Sequence, residues 1–260
     1  MKISEYKNKE EGSRIFSKTF INEINSILLK KNNCTICLAT GSSPTIFYNE
    51  LVIHYKKKNI DFKKIKIFNL DEFYNLNSES KNSYSYYLYH HLLNHINIQQ
   101  KNVNLLLGKP ANLEDYCESV EDKIKKIGGI DIMILGIGMN GHIGFNEPGS
   151  SRNTVTRKVK ISDNSKEILS NDFNSQNDVP DEAITLGIKT ILSAKKIYLL
   201  AWGTGKSDII KKAIEEDVNK KCPASFLRKH QNVEFILDKN SSSKLNDNLY
   251  VNRNWENSYY

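Results

Sequence analysis

Short apolar runs alternate with stretches of helical periodicity along most of this chain, and this alternation constrains its fold more than any other feature. The apolar runs have the length of strands and lie at 34–38, 64–70, 103–107, 130–135, 195–202 and 233–238. Periodicity predicts helices at 13–31, 45–58, 83–95, 113–127, 181–194 and 206–218, whereas 161–178 is polar without a strong pattern. This rhythm predicts an α/β fold with a single doubly wound, mostly parallel sheet and helices on both faces.

Length and composition fit one globular domain. The 260 residues, of which 39% are hydrophobic, can bury a sizeable core. We expect one domain over residues 1–240 and a polar tail over 241–260. No apolar run approaches the roughly 20 residues of a membrane span, and the N-terminus has no apolar signal core. Four cysteines are few for this length and suit reduced thiols, so we expect a cytoplasmic location.

The net charge of +7 at pH 7 raises the alternative of nucleic-acid binding. Only five of the 37 basic residues are Arg, and the Lys residues are scattered along the chain. Nucleic-acid-binding proteins usually cluster their charge and use Arg for bidentate contacts. A solvated Lys-rich surface is therefore the favoured interpretation, and neither a nucleic-acid nor a membrane partner is expected. Such a surface attracts small anionic substrates weakly.

Two loops that follow predicted strands resemble anion-binding sites. In ATGSSPT (39–45), a Gly and two Ser lead into a helix whose N–H groups and dipole can face an anion. A capped turn without a ligand explains this loop equally well. WGTGKSDIIKKA (202–213) places Lys206 at a helix start, where its charge opposes the helix dipole unless an anion is bound. Two such loops, each with phosphate-binding character, favour a phosphorylated small molecule over a whole nucleotide.

Reactive side chains follow two other predicted strands. Asp71 ends one of them and either caps the next turn or acts as a general base. In GIGMNGHIGFNEPGSS (136–151), His142 can transfer a proton near neutral pH, and Glu147 is close enough in sequence to orient it. One His with one Glu and one Asn is too small a set for a metal, so we expect proton transfer and no metal. Since ligands bind beyond the carboxyl ends of parallel strands, all four loops are expected to share one site.

Two further motifs receive structural interpretations. Cys34 and Cys37 have CxxC spacing, but residues three apart on a strand point to opposite faces, so neither a redox nor a zinc site is favoured. His91 and His95 lie one turn apart on a predicted helix and lack the Glu of an HExxH motif. We interpret them as part of a helix face, with a metal site as the alternative.

Three motifs in chain order, ATGSSPT, FNLDEFY (68–74) and GIGMNGHIGFNEPGSS, resemble those of the glucosamine-6-phosphate deaminases, also called glucosamine-6-phosphate isomerases. The resemblance runs from about residue 12 to about residue 240 and includes VPDEAITLGIKTIL (179–192). The related 6-phosphogluconolactonases share the fold and a Gly-His segment, but their segment does not continue as FNEP. The resemblance implies an enzyme of the hydrolase class that isomerises and deaminates glucosamine 6-phosphate to fructose 6-phosphate, with no metal or organic cofactor.

The resemblance also implies roles for individual residues. Asp71 removes the proton at C2 of the open-chain sugar and returns one at C1. His142, oriented by Glu147, assists opening of the pyranose ring, and Asn140 stands at a position where relatives carry either Asp or Asn. The phosphate group of the substrate is held by Thr40, Gly41, Ser42, Ser43 and Lys206.

One departure from the family pattern concerns the phosphate. Relatives carry a phosphate-contacting Arg in the segment after TRKVK (156–160), where this chain has Ser170 or Asn171. Lys166 is a weaker substitute because it lacks the bidentate fork of Arg. Three alternatives therefore stay open: a galactosamine-6-phosphate deaminase, a 6-phosphogluconolactonase-like hydrolase, and a sugar-phosphate-binding protein with weakened catalysis.

A second departure concerns regulation. Some family members have an allosteric site around the positions of Ser151 and Arg157, and here Val159 stands where a Lys is expected. Activation by N-acetylglucosamine 6-phosphate is therefore not expected. The preferred amino-sugar epimer and a homo-oligomeric state are left open by the sequence.

Overall fold

The computed structural model describes residues 1–173, 175–246 and 252–253. Of the polar tail expected at 241–260, residues 247–251 and 254–260 lie outside the described residues. Among the helices of the described residues, none has the length and apolar character needed to span a membrane.

Eleven strands and seven α-helices are formed by the described residues. The strands are β1 (Lys2–Tyr6), β2 (Cys34–Leu38), β3 (Ile65–Asn69), β4 (Asp71–Phe73), β5 (Val103–Asn104), β6 (Ile132–Leu135), β7 (Arg157–Lys160), β8 (Glu182–Thr185), β9 (Lys196–Ala201), β10 (Val233–Asp238) and β11 (Asn252–Arg253). The helices are α1 (Lys9–Lys31), α2 (Thr45–Lys56), α3 (Tyr84–His91), α4 (Leu113–Lys126), α5 (Asp163–Leu169), α6 (Ile188–Leu192) and α7 (Ser207–Glu215).

Side-chain caps explain where several helices begin. α1 starts four residues before the predicted position because the Asn8 side chain accepts a hydrogen bond from the Glu11 N–H at 2.9 Å. α3 and α4 begin in the same way after Ser83 and Asn112. α1 ends at Asn32, whose φ of 61° is the left-handed conformation common at helix C-termini.

The main sheet is parallel, with the strand order β11-β1-β10-β9-β6-β2-β3-β5 over the described residues. Alternate residues of its central strands face opposite sides. Cys37 and Met133 belong to a core shared with α4, α6 and α7. Ile36, Ile134 and Leu200 belong to a second core shared with α1, α2 and α3. The predicted doubly wound α/β fold is confirmed.

A smaller antiparallel sheet, in the order β4-β8-β7, continues from the end of β3. It corrects the prediction of one helix at 181–194, because Glu182–Thr185 is strand β8 and only Ile188–Leu192 is helical. The side chains of Ala183, Ile184 and Thr185 are all fully buried. A strand buried on both faces lacks the alternation that identifies strands in a sequence, so its apolar run was mistaken for a helix face.

β1, β7 and α5 were not predicted either. β1 carries polar residues inside the fold, and its Ser4 hydroxyl donates to Glu234 Oε1 on the neighbouring strand at 2.7 Å. β7 is only partly buried and pairs with β8. α5 forms within the segment 161–178, where the Ser162 side chain accepts a hydrogen bond from the Ser165 N–H at 3.2 Å and caps the helix.

The winding of the sheet reverses between β2 and β6, which are neighbours in the sheet. β3 and β5 extend the sheet on one side of this point, and β9, β10 and β1 extend it on the other. The loops that leave the carboxyl ends of β2 and β6 therefore diverge and form a crevice, the usual ligand position in such sheets.

Candidate active site

The loop after β2 directs its carbonyl groups toward the protein. Thr40 and Ser43 are partly exposed, and Gly41 and Ser42 are exposed. The Gly41 carbonyl accepts a hydrogen bond from the Tyr87 hydroxyl at 2.7 Å, and Lys9 Nζ donates to the Ser42 carbonyl at 2.7 Å. Gly41 has a φ of 92°, which favours glycine. With its carbonyls occupied, the loop has N–H groups and hydroxyls to present to an anion at the start of α2.

Lys206 ties the loop after β9 to the loop after β6. It ends a short 3₁₀ helix directly before α7, and its Nζ donates to the Ile137 carbonyl at 2.7 Å. Burial lowers the pKa of Lys206. Within the described residues its ammonium group forms no ion pair with a carboxylate. A half-buried ammonium group without a carboxylate partner among the described residues is well suited to bind an anionic group of a ligand.

Trp202 and Asp238 hold the loop after β9 in place. Trp202 Nε1 donates to the Ser43 carbonyl at 3.0 Å, which joins this loop to the one after β2. The Asp238 carboxylate accepts hydrogen bonds from the Gly203 N–H at 3.0 and 3.1 Å and from the Ser241 N–H at 2.8 Å. Ser241, at the start of the expected tail, is therefore buried and structurally engaged.

The loop after β3 joins the same edge of the sheet. A Cβ atom added to Gly144, in the loop after β6, would lie 3.2 Å from Leu70 Cγ, immediately before Asp71. The Leu70 carbonyl accepts a hydrogen bond from the Leu186 N–H at 2.9 Å, and the Phe145 N–H donates to Thr185 Oγ1 at 3.2 Å. These contacts bring all four predicted loops together at one rim.

The Asp71 side chain is buried, with 6% of the residue exposed. Burial, and secondly the neighbouring charge of Glu72, raises the pKa of Asp71 to about 8. Glu72 itself is fixed by hydrogen bonds from the Tyr84 and Ser85 N–H groups at the start of α3. Within the described residues no hydrogen bond from protein reaches the Asp71 carboxyl. A carboxyl group in this environment can take up and release a proton near neutral pH.

His142, Glu147 and Asn140 form one cluster in the loop after β6. His142 Nδ1 lies 3.5 Å from Glu147 Oε1, and Asn140 Nδ2 donates to Glu147 Oε2 at 2.7 Å. Burial acts to raise the pKa of Glu147, but the contact with His142 and the hydrogen bonds of Ser165 and Asn140 outweigh it and lower the pKa to about 2. Glu147 is therefore ionised at neutral pH and can stabilise a protonated imidazole.

Several residues of this cluster were missed by the sequence patterns. Ser165 and Ser162 donate to Glu147 Oε1 at 2.5 and 3.2 Å. Gly138 leaves room for the imidazole, because a Cβ there would lie 2.2 Å from His142 Cε1. Asn146 donates to the Ile143 and Leu186 carbonyls, both at 2.9 Å, and holds the loop closed. Ser162 and Ser165 lie in the segment 161–178, which has no hydrophobic pattern. The one sequence signal there is a Ser placed three residues before another Ser, a spacing compatible with a helix N-cap.

The three residues considered in place of the Arg that the resemblance leads us to expect after TRKVK bond to nearby residues. The Lys166 ammonium forms an ion pair with Asp181. Asn171 Nδ2 donates to the Ile168 carbonyl at 3.0 Å, and the Ser170 hydroxyl donates to the Glu167 carbonyl at 2.6 Å. All three side chains thus have partners within this segment or beside it.

The cysteines and the histidine that received structural interpretations from the sequence pack within the fold. Cys34 and Cys37 are buried thiols, and burial is the first cause that raises the pKa of each. His91 packs against Tyr87 on α3, with ring centroids 4.4 Å apart. Over the described residues, no group of three or more His, Cys, Asp or Glu side chains is arranged to hold a metal ion. Arg157 Nη1 donates to Asn146 Oδ1 at 2.9 Å, so it supports the loop of His142.

The fold and the site define an α/β protein that joins acid–base side chains to anion-binding loops at one sheet edge. The chain belongs to the family of glucosamine-6-phosphate isomerases and 6-phosphogluconolactonases, whose profile matches residues 7–236. It is 45% identical over 245 residues to a glucosamine-6-phosphate deaminase of Clostridium novyi (strain NT), covering 94% of this chain and 100% of that protein. It is 46% identical over 223 residues to a glucosamine-6-phosphate deaminase of Clostridium botulinum (strain Loch Maree / Type A3), covering 86% and 91%.

Solved structures extend the comparison. A monomeric glucosamine-6-phosphate deaminase superposes with a TM-score of 0.90 and 34% identity, covering 94% of this chain and 100% of that one. A 6-phosphogluconolactonase from Trypanosoma brucei superposes with a TM-score of 0.75 at 20% identity, covering 94% and 98%, and shares the fold. The resemblance to the deaminases inferred from the motifs is confirmed.

Proposed function

We propose that this protein isomerises and deaminates glucosamine 6-phosphate to fructose 6-phosphate and ammonia. The observation that carries the proposal is the Asp71 carboxyl, which is buried, has a pKa raised to about 8 and lies at the rim shared with the anion-binding loops. Moving a proton between two adjacent carbons needs one base that reaches both, and a carboxylate fixed at a strand end meets this need. The deaminases that this chain resembles over most of its length support the same substrate.

The reaction begins with opening of the sugar ring. His142 moves a proton between the anomeric hydroxyl and the ring oxygen, and the ionised Glu147 stabilises the imidazole while it carries the extra proton. Asn140 keeps Glu147 in place through its 2.7 Å hydrogen bond. The product of this step is the open-chain aldehyde.

The base then acts on the open chain. Asp71 takes the proton from C2, and the electron pair of that C–H bond forms a C1–C2 double bond while the aldehyde oxygen is protonated. Return of a proton to C1 of this enolamine leaves a protonated C2 imine; water adds to C2, and ammonia departs while the extra proton passes to solvent. One water is consumed overall, so ammonia release is hydrolytic in its net balance.

The phosphate group orients the sugar for these steps. The N–H groups and hydroxyls of the segment Thr40, Gly41, Ser42 and Ser43, together with Lys206, form the phosphate pocket of this proposal. Binding energy from the unreactive phosphate then holds C1 and C2 beside Asp71.

We place the reaction in the cytoplasm, with a free phosphosugar as substrate and without a nucleic-acid or membrane partner. The four cysteines support this location, because all of them are buried free thiols. The oligomeric state is left open by the sequence, and light scattering of the purified protein measures it.

An ammonia-release assay tests the function. The wild-type protein should release ammonia from glucosamine 6-phosphate, and D71N, which keeps the shape of the side chain but removes the base, should lower kcat by about a hundredfold or more. Galactosamine 6-phosphate and a 6-phosphogluconolactone serve as competing substrates. If the wild-type protein hydrolyses the lactone but releases ammonia from neither amino-sugar phosphate, the deaminase assignment is removed.

A further inference from the structure

The carboxylate of Glu147 is held from both ends by residues other than His142. Asn140 Nδ2 donates to Oε2 at 2.7 Å, and Ser165 Oγ donates to Oε1 at 2.5 Å. Ser162 Oγ lies 3.2 Å from the same Oε1 oxygen and 3.1 Å from Ser165 Oγ. Because a hydroxyl has a single proton, Ser162 donates to one of these two acceptors at a time, and Ser165 provides the shorter contact.

The oxygen taken by Ser165 is also the one that faces the imidazole. Glu147 Oε1 lies 3.5 Å from His142 Nδ1, longer than a good hydrogen bond, and within the described residues Nδ1 has no hydrogen-bond partner. The position of Oε1 therefore depends on the serine hydroxyl rather than on the ring. Ser165 is only 3% exposed and lies in the first turn of α5, which Ser162 caps.

We propose that Ser165 is a positioning residue that fixes Glu147 Oε1 opposite His142 Nδ1, and that Ser162 supports it by capping α5. This inference rests on the proposed function only in assigning ring opening to His142 and Glu147. The contact joins the segment 161–178 to the acid–base cluster, so the placement of α5 decides how firmly the carboxylate faces the ring. Without the Ser165 hydroxyl, Glu147 keeps Asn140 at Oε2 and only the longer 3.2 Å contact of Ser162 at Oε1, so Oε1 is held less firmly opposite Nδ1.

Nitrogen-15 NMR of histidine-labelled, substrate-free protein tests the geometry directly. The chemical shift of His142 Nδ1 is measured at one pH in wild type, E147Q, S165A, S165T and S170A. We expect S165A to move the shift at least half of the way from the wild-type value to the E147Q value. S165T keeps the hydroxyl and should stay near wild type. S170A is the matched control, because the Ser170 hydroxyl donates to the Glu167 carbonyl at 2.6 Å in the same segment.

Kinetics add a second measurement. With glucosamine 6-phosphate, S165A should lower kcat about tenfold or more and leave KM within about twofold, since Glu147 serves the proton-transfer step rather than phosphate binding. S165C provides the same measurements if S165A does not fold. An Nδ1 shift of S165A at the wild-type value, or an equal displacement in S170A, overturns the proposal. Because the NMR measurement needs no turnover, it decides on Ser165 even if the wild-type protein releases no ammonia.

Discussion

At the scale of single residues, the environment of Asp71 links catalysis to stability. A carboxyl whose pKa is higher in the folded than in the unfolded chain holds its proton more tightly when folded. Burial, and secondly the charge of Glu72, raises the pKa of Asp71 to about 8 in the folded chain, against about 4 for an unperturbed Asp. The stability that its protonated form contributes is therefore full below about pH 4 and is lost as the pH rises toward about 8. The charged base that the proposed reaction needs is thus the form that destabilises the fold.

The D71N variant tests this link. Its free energy of unfolding should exceed that of wild type by an amount that grows between pH 5 and pH 8, reaching on the order of a few kcal/mol. Urea denaturation at several pH values measures the difference. D122N, which changes an exposed Asp on α4, is the control and should show no such trend. A difference between D71N and wild type that stays constant with pH would mean that Asp71 titrates alike in both states.

Gly138 is a residue whose absent side chain matters. A Cβ atom there would lie 2.2 Å from Cε1 and 2.4 Å from both nitrogens of His142, so alanine must displace the imidazole. We expect G138A to lower kcat by about a hundredfold or more, and we expect the same of H142Q, which removes the imidazole itself. G136A is the matched control in the same loop, since its Cβ would meet only Ser43 Oγ at 4.0 Å. Equal activity of the two variants would show that the ring is not held against Gly138.

At the scale of elements, α1 supports the anion-binding loops through one close contact. A Cβ atom on Gly12 would lie 2.7 Å from Cη2 and 2.8 Å from Cζ3 of Trp202. The same indole donates to the Ser43 carbonyl at 3.0 Å. The helix position of Gly12 thus decides where the loops after β2 and β9 meet.

We therefore expect G12A to change the stability of the protein in the direction opposite to that usual for Gly-to-Ala substitutions in helices. Alanine in place of glycine within a helix normally stabilises by up to about 1 kcal/mol, but here the displaced indole should make G12A less stable by about 1–3 kcal/mol. KM for glucosamine 6-phosphate should rise, because the Ser43 loop shifts. W202F keeps an aromatic ring but loses the N–H donor together with the part of the indole that contacts Gly12, so it should raise KM as well. Thermal denaturation and steady-state kinetics measure both effects, and a G12A protein more stable than wild type contradicts the prediction.

Elements whose apolar residues repeat within one segment were predictable from sequence, and elements that depend on a distant partner were not. β2, β9 and α4 carry their own pattern and were found. The helix prediction over β8 is wrong because β8 forms a strand only by pairing with β4, in which Asp71 lies opposite Thr185. The candidate catalytic residues were predictable because each lies within a short sequence motif. Ser165 was not, because it meets Glu147 only when α5 packs against the loop after β6.

At the scale of the whole molecule, the crevice at the sheet's reversal point collects residues from distant parts of the chain. Asp71 follows β3, His142 follows β6 and Lys206 follows β9, so no contiguous half of the chain contains the complete site. A ligand bound there contacts loops from both sides of the reversal point and should stabilise the folded chain as a unit.

Ligand-induced stabilisation tests this arrangement with Lys206. The open-chain alditol of glucosamine 6-phosphate has no aldehyde and cannot be isomerised, so it serves as the probe. At about 100 times its Kd, it should stabilise wild type by about 2.7 kcal/mol, read as a rise in Tm. K206M should lose most of this rise at the same concentration, because the ammonium tied to Ile137 is removed from the phosphate pocket. K211M is the matched control, since Lys211 forms a 3.9 Å ion pair with Glu215 within α7 and should keep the full rise. If K206M and K211M respond alike, the phosphate binds away from the loop after β9, and the shared rim does not act as one site.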